Sequence, residues 1–359
     1  MSGQSCCKNK LFTFSKRNYL EDYGNIESKK IDMTLSGTYL YKYPFNHIKK
    51  YRLDKYPNHS ESQLLIENIK KKFSLYDKNY EIILGPGSNG LIQNICKILL
   101  KENDVLVTPY LSFGQAEFAA TSFGAITKRV YLDNNYNINL NYFDEVIDKD
   151  TKLIYICNPN NPTGLIIENE EILNFAKKHP SIYIMIDESN IEFSNRESLL
   201  RKELLQNLII LKSFSKAYGL SNLRIGYLVC SKVLSEKYKR LVTINEFSGI
   251  SVYYADKAIC SDYYKINVEK IHKELRYLAY YLNSIGIETF NTLSNTLFTK
   301  TIFDFNFIKE MENHNISMVP IIDQNNDLHF RIACQTHKIN KLFIKELYKI
   351  DNIRKYILS

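Results

Sequence analysis

Leu208-Ile209-Ile210-Leu211-Lys212-Ser213-Phe214-Ser215-Lys216-Ala217-Tyr218-Gly219-Leu220, followed at once by Leu223-Arg224-Ile225-Gly226-Tyr227, is the stretch on which the reading of this chain turns. The apolar run 208–211 reads as a buried strand that delivers Lys216 to the loop at its end, where a lysine can meet a ligand. Small hydroxylated residues on both sides of an amine, with an arginine shortly downstream, make a pocket for a phosphate while the amine forms a Schiff base with an aldehyde. That combination points to pyridoxal phosphate. The plainer reading, a solvated loop lysine, has to be weighed against the rest of the chain.

Working outward, short apolar runs alternate with helical stretches. Strand-like runs at 81–84, 105–107, 126–131, 153–156, 182–186, 208–211 and 225–229 are separated by helical patterns at 91–100, 115–122, 142–147, 170–178 and 199–205. A βα rhythm of this kind argues for a mostly parallel sheet covered by helices on both faces. Before it, Ser60 with Gln63 forms a possible capping box, and Leu64, Leu65, Ile69 and Phe73 recur at helical spacing. Beyond Gly249 the pattern becomes a long helical region to Leu282, then strand-like pieces at 297–302, 316–319 and 328–333, and a last helix over 340–350. The expected division is an N-terminal arm or part of the small domain (1–45), a large domain (46–249) and a small α+β domain (250–359).

With 359 residues the chain has room for a large and a smaller domain. Its net charge of +8 suits anionic substrates, but the lysines are scattered rather than gathered in a basic arm, and no nucleic-acid-binding spacing accompanies them. Cys6, Cys7, Cys96, Cys157, Cys230, Cys260 and Cys334 include no C-x-x-C pair and lie mostly in apolar runs. They read as reduced core residues. With no signal peptide or membrane-length apolar run in view, the expectation is a cytoplasmic protein.

Four further places carry chemistry. Gly85-Pro86-Gly87-Ser88-Asn89-Gly90 lies between a strand and a helix, where close backbone approach and exposed amides favour an anion, although glycine also serves such turns for geometry alone. Asn158-Pro159-Asn160-Asn161-Pro162-Thr163-Gly164 is a turn stiffened by two prolines, and Asn161 held in it is a candidate binding group. Asp187, with Glu188 after it, ends a buried strand where parallel sheets place their ligand sites. A protonated pyridine nitrogen would serve as its cation; capping the next helix or bridging to a lysine is the competing reading. Arg331, alternating with apolar residues in a late strand, points inward to hold a carboxylate or phosphate, or to make a structural ion pair.

In order and spacing, these sites and Lys216 resemble the fold-type-I, pyridoxal-phosphate-dependent aminotransferases of class I/II, with the histidinol-phosphate aminotransferase group closest. The resemblance runs from about Tyr56 to the C-terminus. It is most specific at 161–164, Asp187-Glu188, and Ser215-Lys216 through Gly226-Tyr227. It implies an α/β architecture: a large domain with a mostly parallel seven-stranded sheet, plus a smaller α+β domain. It also implies that Lys216 bonds the cofactor aldehyde and then acts as general base, that Asp187 pairs with the pyridinium, and that Asn161 bonds the ring phenolate oxygen. The Ser88 and Asn89 amides, Ser213, Ser215 and Arg224 would surround the phosphate, and Phe113 would stack on the ring. Tyr56 would reach the neighbouring subunit's cofactor, which implies a homodimer, and Arg331 would anchor the substrate anion.

Three positions depart from the family pattern. Asn190 replaces an aromatic, commonly a tyrosine that also bonds the phenolate oxygen; an amide can still donate that bond. Leu111 replaces a proline before Ser112-Phe113, and Leu35-Ser36-Gly37-Thr38-Tyr39 lacks the asparagine-rich substrate motif. The implied activity is ping-pong transamination from an amino acid, most often glutamate, to a small phosphorylated ketone or aldehyde. The rivals are decarboxylation of phosphoserine or threonine phosphate on the same constellation and, from another class, an aminotransferase-like sensor in a transcription regulator.

Overall fold

Residue alternation in three adjacent strands puts one apolar layer on each face of the sheet they form. Ile154, Ile156, Ile184, Ile186, Leu208 and Ile210 join one apolar cluster, while Leu153, Tyr155, Met185, Ile209 and Leu211 join another. A strand buried on both faces has no solvated side to mark, so its sequence reads as a continuous apolar run. The computed structural model describes residues 31–34, 36–37, 56–57, 59–241 and 246–358.

In chain order the elements are β1 (Ile31–Asp32), α1 (His59–Phe73), β2 (Tyr80–Gly85), α2 (Gly87–Leu99), β3 (Val105–Pro109), α3 (Gln115–Ser122), β4 (Ile126–Val130) and β5 (Thr151–Cys157). They continue with α4 (Asn169–Lys178), β6 (Tyr183–Asp187), β7 (Leu208–Ser213), β8 (Gly226–Ser231), α5 (Lys232–Leu241), α6 (Gly249–Ile259) and α7 (Tyr263–Ser284). The last are β9 (Thr296–Phe298), β10 (Ile302–Phe303), α8 (Asn306–Asn313), β11 (Ile316–Ser317), β12 (Val319–Ile322), β13 (Leu328–Ala333), α9 (His337–Leu347) and β14 (Ile357–Leu358).

Seven strands form the large sheet in the order β2-β8-β7-β6-β5-β3-β4. Only β8 runs against the others, pairing antiparallel with both β2 and β7. Helices α1, α4 and α6 cover the face that carries Ile154 and Ile186, and α2, α3 and α5 cover the opposite face. The carboxyl ends of β2, β3, β5, β6 and β7 therefore share one edge of the sheet, and β8 enters at that same edge through the register Ser213↔Gly226 and Gly85↔Gly226. Open α/β sheets place their ligands there.

The second core is built on α7, α8, α9 and a small sheet of β12, β13, β10 and β14, with β9 added on β13. β1 pairs parallel with β11, and Ala333 N donates to Met33 O at 2.7 Å, which ties residues 31–34 to this lobe. A bridging cluster of Leu111, Leu132, Phe298 and Ile321 lies between the two.

Several elements differ from the sequence expectations. The patterns at 142–147 and 199–205 are short 3-10 turns, Leu140–Phe143 and Leu199–Arg201. In each, a side chain just before the turn accepts a hydrogen bond from a backbone amide two residues on: Asn139 from Asn141, and Ser198 from Leu200. Burial of Leu140 and Phe143, or of Leu199 and Leu200, accounts for the apolar spacing without a full helix. The long helical region splits into α6, packed in the core of the large sheet, and α7, packed in the second core. The pieces at 297–302 and 316–319 are each divided between two strands. Ser60 lies inside the first turn of α1 rather than at its cap.

Candidate active site

Strand alternation carries Asp187 to the same side of the sheet as Tyr155 and Cys157. Cys157 is its register partner, and the Tyr155 hydroxyl donates to Asp187 Oδ2 at 2.8 Å. The Ser189 amide donates to Oδ1 at 2.9 Å. Asp187 is only 2% exposed. Burial raises its pKa, against the pull of those two partners and of the Lys216 charge. A carboxylate so enclosed calls for a cation.

Two lysines four residues apart behave oppositely. Lys212 lies on the other face of β7, 2.8 Å from Glu192 and 3.6 Å from Glu188. Burial opposes its charge, but the two glutamates prevail and hold the amine above its usual range. Lys216, past the end of the strand, has its pKa lowered to about 8, first by burial and then by the charge of Arg331, with Asp187 opposing and Arg224 adding. Its Nζ donates to Ser36 Oγ at 2.7 Å and to Ser36 O at 3.1 Å. An amine with a depressed pKa has a usable lone pair near neutral pH.

Arg331 reaches the same place from β13. Its Nη1 donates to Asn161 Oδ1 at 3.2 Å and its Nη2 to Thr34 O at 2.7 Å. Asn190 stands at the start of a 3-10 turn, Ile191–Phe193, with its amide oxygen buried and without a hydrogen-bond partner among the described residues. Phe113 is half-buried beside the core on the Asp187 side of the sheet.

At the other end of this cleft α2 begins after Pro86 with no capping side chain. A Cβ added to Gly226 would come within 2.8 Å of Lys212 O and 3.2 Å of Ser88 N, so only glycine lets β8 close against the start of α2. A Cβ on Gly87, whose φ is +74°, would meet Arg224 Nη2 at 2.9 Å. Arg224 Nη1 lies 3.4 Å from Ser215 Oγ, and Ser215 N donates to Ser213 Oγ at 3.1 Å. The uncapped start of α2, a guanidinium and two serines lie together here, held close by glycines that leave no room for a side chain, and these are the donors a phosphate requires. The residues present thus fit pyridoxal phosphate at both its ends.

Of the residues singled out in the sequence, the structure brings Lys216, Asp187, Arg331 and Asn161 to one end of the cleft. Ser88, Ser213, Ser215 and Arg224 gather at the other, and Asn89 lies in the first turn of α2. Tyr56 is 90% exposed in the single chain. Cys96, Cys157, Cys230 and Cys334 are buried free thiols and Cys260 is exposed, while Cys6 and Cys7 lie outside the described residues. Sequence reasoning missed Tyr155 and Ser36. A tyrosine in an otherwise apolar strand needs a partner for its hydroxyl, and period-two alternation across paired strands pointed toward Asp187. Ser36 was noted only within a segment that lacks the family's substrate motif, and nothing local marked its contact with Lys216.

A model of the class I and II aminotransferase family matches residues 44–344. The chain belongs to that family. The histidinol-phosphate aminotransferase of Ruminiclostridium cellulolyticum is 28% identical over 83% of this chain and 84% of its own. That of Staphylococcus saprophyticus is 31% identical over 69% and 71%. Among solved structures, the Sinorhizobium meliloti histidinol-phosphate aminotransferase in complex with pyridoxal-5'-phosphate superposes with a TM-score of 0.75 at 22% identity, covering 84% of this chain and 83% of that one. Escherichia coli YbdL, described as having a methionine aminotransferase function, gives 0.78 at 17%, covering 95% and 99%. The fold is that of the fold-type-I aminotransferases, and this aminotransferase uses pyridoxal phosphate. No helix among the described residues is long and apolar enough to cross a membrane.

Proposed function

We propose that this aminotransferase moves an amino group from glutamate to a small phosphorylated ketone or aldehyde, with histidinol phosphate the first amine to try in the reverse direction. The observation that carries the reading is the buried Arg331 guanidinium, bonded to Asn161 and close enough for its charge to depress the Lys216 amine. A planar cation beside the reacting amine takes a carboxylate or a phosphate equally, so one arginine serves both half-reactions. Curated relatives sharing about 70% or more of the chain are named for a phosphorylated substrate.

The cofactor supplies an aldehyde for the substrate amine and a cationic ring that accepts electrons. Asp187 would hold the ring nitrogen's proton, the Asn161 and Asn190 amides would serve the phenolate oxygen, and Phe113 would pack on the ring. The Ser88 and Asn89 amides, Ser213, Ser215 and Arg224 bind the phosphate, with Tyr56 supplied by a second copy of the chain. Lys216 Nζ carries the proton between the two carbons that exchange it.

The test is the visible spectrum of the purified protein, with glutamate added to one sample and histidinol phosphate plus 2-oxoglutarate to another. Loss of the visible band with release of 2-oxoglutarate supports the donor; in a separate sample of the aldehyde form, formation of glutamate from histidinol phosphate and 2-oxoglutarate supports the acceptor by the reverse reaction. Carbon dioxide release from phosphoserine without 2-oxoglutarate formation would replace the proposal with decarboxylation.

A further inference from the structure

Ser36 is 180 residues from Lys216 in sequence, yet both of its oxygens are aimed at that one amine. Its carbonyl is fixed from behind: buried Asn295 donates to Ser36 O at 2.7 Å. Two residues earlier Thr34 O accepts from Arg331 Nη2, and one before that Met33 is bonded to Ser317 and Ala333. The segment is thus anchored to the small lobe at four points and presents Ser36 to a lysine of the large one.

A neutral lysine amine has two N–H bonds and one lone pair. Ser36 O and Oγ, at 3.1 and 2.7 Å, account for both N–H bonds. What remains is the lone pair, whose direction is then set. We propose that Ser36 is a second catalytic group for proton transfer, holding the released amine of Lys216 by its two N–H bonds so that the lone pair faces the substrate carbon. This rests on Lys216 being the base. In the step, the Nζ lone pair forms a new N–H bond to the proton leaving carbon, and the C–H electron pair is left to the cofactor. The ammonium so formed returns a proton to the second carbon and becomes a neutral amine again. The Ser36 carbonyl can only accept and its hydroxyl oxygen accepts from Nζ in this geometry, so the pair serves both protonation states, and the pKa of about 8 keeps the neutral one accessible.

Two variants, Ser36→Ala and Ser36→Thr, and two readouts test this. In the full-length cofactor-free chain, competitive acylation with acetic anhydride across pH reports the Lys216 pKa. Losing an acceptor that favours the ammonium should lower it in Ser36→Ala and leave it near wild type in Ser36→Thr. In the holoenzyme, Ser36→Ala should reduce kcat on the order of 10- to 100-fold with KM little changed. The primary isotope effect with an α-deuterated amino donor should rise as proton transfer becomes limiting, and Ser36→Thr should restore most of the rate. A wild-type acylation profile in Ser36→Ala overturns the contact. A shifted profile with an unchanged isotope effect overturns the catalytic role and leaves only a structural one. Should Lys216→Ala retain turnover, the base assignment itself fails, while acylation still reads the Ser36 contact on its own.

Discussion

Asp187 is a carboxylate the fold keeps from water, and burial raises its pKa even with Tyr155, Ser189 and Lys216 at hand. An acid whose folded pKa is raised binds its proton more tightly folded than unfolded, so stability falls as pH rises through that value. In its ionised form the group is a cost to the cofactor-free fold. Asp187→Asn removes the charge and keeps an oxygen for the Ser189 amide. The cofactor-free variant should therefore melt at or above the wild-type temperature, while turnover falls on the order of a hundredfold or more with the ring's counter-charge gone. A lower melting temperature with a near-normal rate would show that the carboxylate serves the fold instead. Arg331 offers a second single-residue test. Lysine keeps its charge but loses the planar fork, so Arg331→Lys should raise KM for donor and acceptor together, by about tenfold or more. An increase for only one would split the shared anion site. Asp187 and Arg331 were legible as polar residues in apolar strands, Lys216 as an amine among serines in the loop after such a strand, and Asn161 from its proline-stiffened turn, all local contrasts. Ser36 was not, because its meaning comes from a contact across 180 positions that no local pattern encodes.

Among the elements, the closest approach is that of β8 to the start of α2, and it hangs on Gly226. The atoms a Cβ would meet there, Lys212 O, Gly87 C and Ser88 N, are all backbone and cannot swing aside. Gly226→Ala should push β8 away from the start of α2, the proposed phosphate site, weakening pyridoxal phosphate at least about tenfold and destabilising the fold by roughly 1–3 kcal/mol. Absorbance titration of the cofactor-free variant and its thermal melt measure the two effects. Wild-type affinity would mean that the phosphate does not bind at the start of α2. The strands were readable from sequence because a doubly buried strand is a continuous apolar run, and α3 at Gln115–Ser122 falls where its spacing puts it. The turns at Leu140–Phe143 and Leu199–Arg201 were not separable from helices. Two buried side chains three or fewer residues apart satisfy either geometry, and the side-chain bonds from Asn139 and Ser198 that settle the tighter turn leave no period.

At the level of the whole molecule, the site draws on distant parts of the chain: Arg331, Asn295 and Ser36 from the small lobe's side, Lys216, Asp187 and Arg224 from the large sheet. The βα rhythm and its later change were the ground for expecting a large and a small domain, but the contact of Asn161 with Arg331 was not readable, since the two meet only once both have folded. One residue stands apart from this convergence. Tyr56 is a large aromatic left 90% exposed, and the proposed role for it lies in a second copy of the chain. In a two-fold dimer each subunit then lends Tyr56 to the other's Lys216. That arrangement has a consequence no single variant can show. Lys216→Ala is expected to be inactive and Tyr56→Ala to be strongly impaired through weaker phosphate binding. In a hybrid dimer, the subunit that keeps Lys216 receives an intact Tyr56 from the Lys216→Ala partner, so one of its two sites is wild type. Refolding or co-expressing the two variants in equal amounts should give hybrids in about half of the dimers, and so about a quarter of wild-type activity from two parents that each have little. If Tyr56 acts within its own chain, the hybrid's remaining Lys216 site still lacks the tyrosine, and mixing restores nothing.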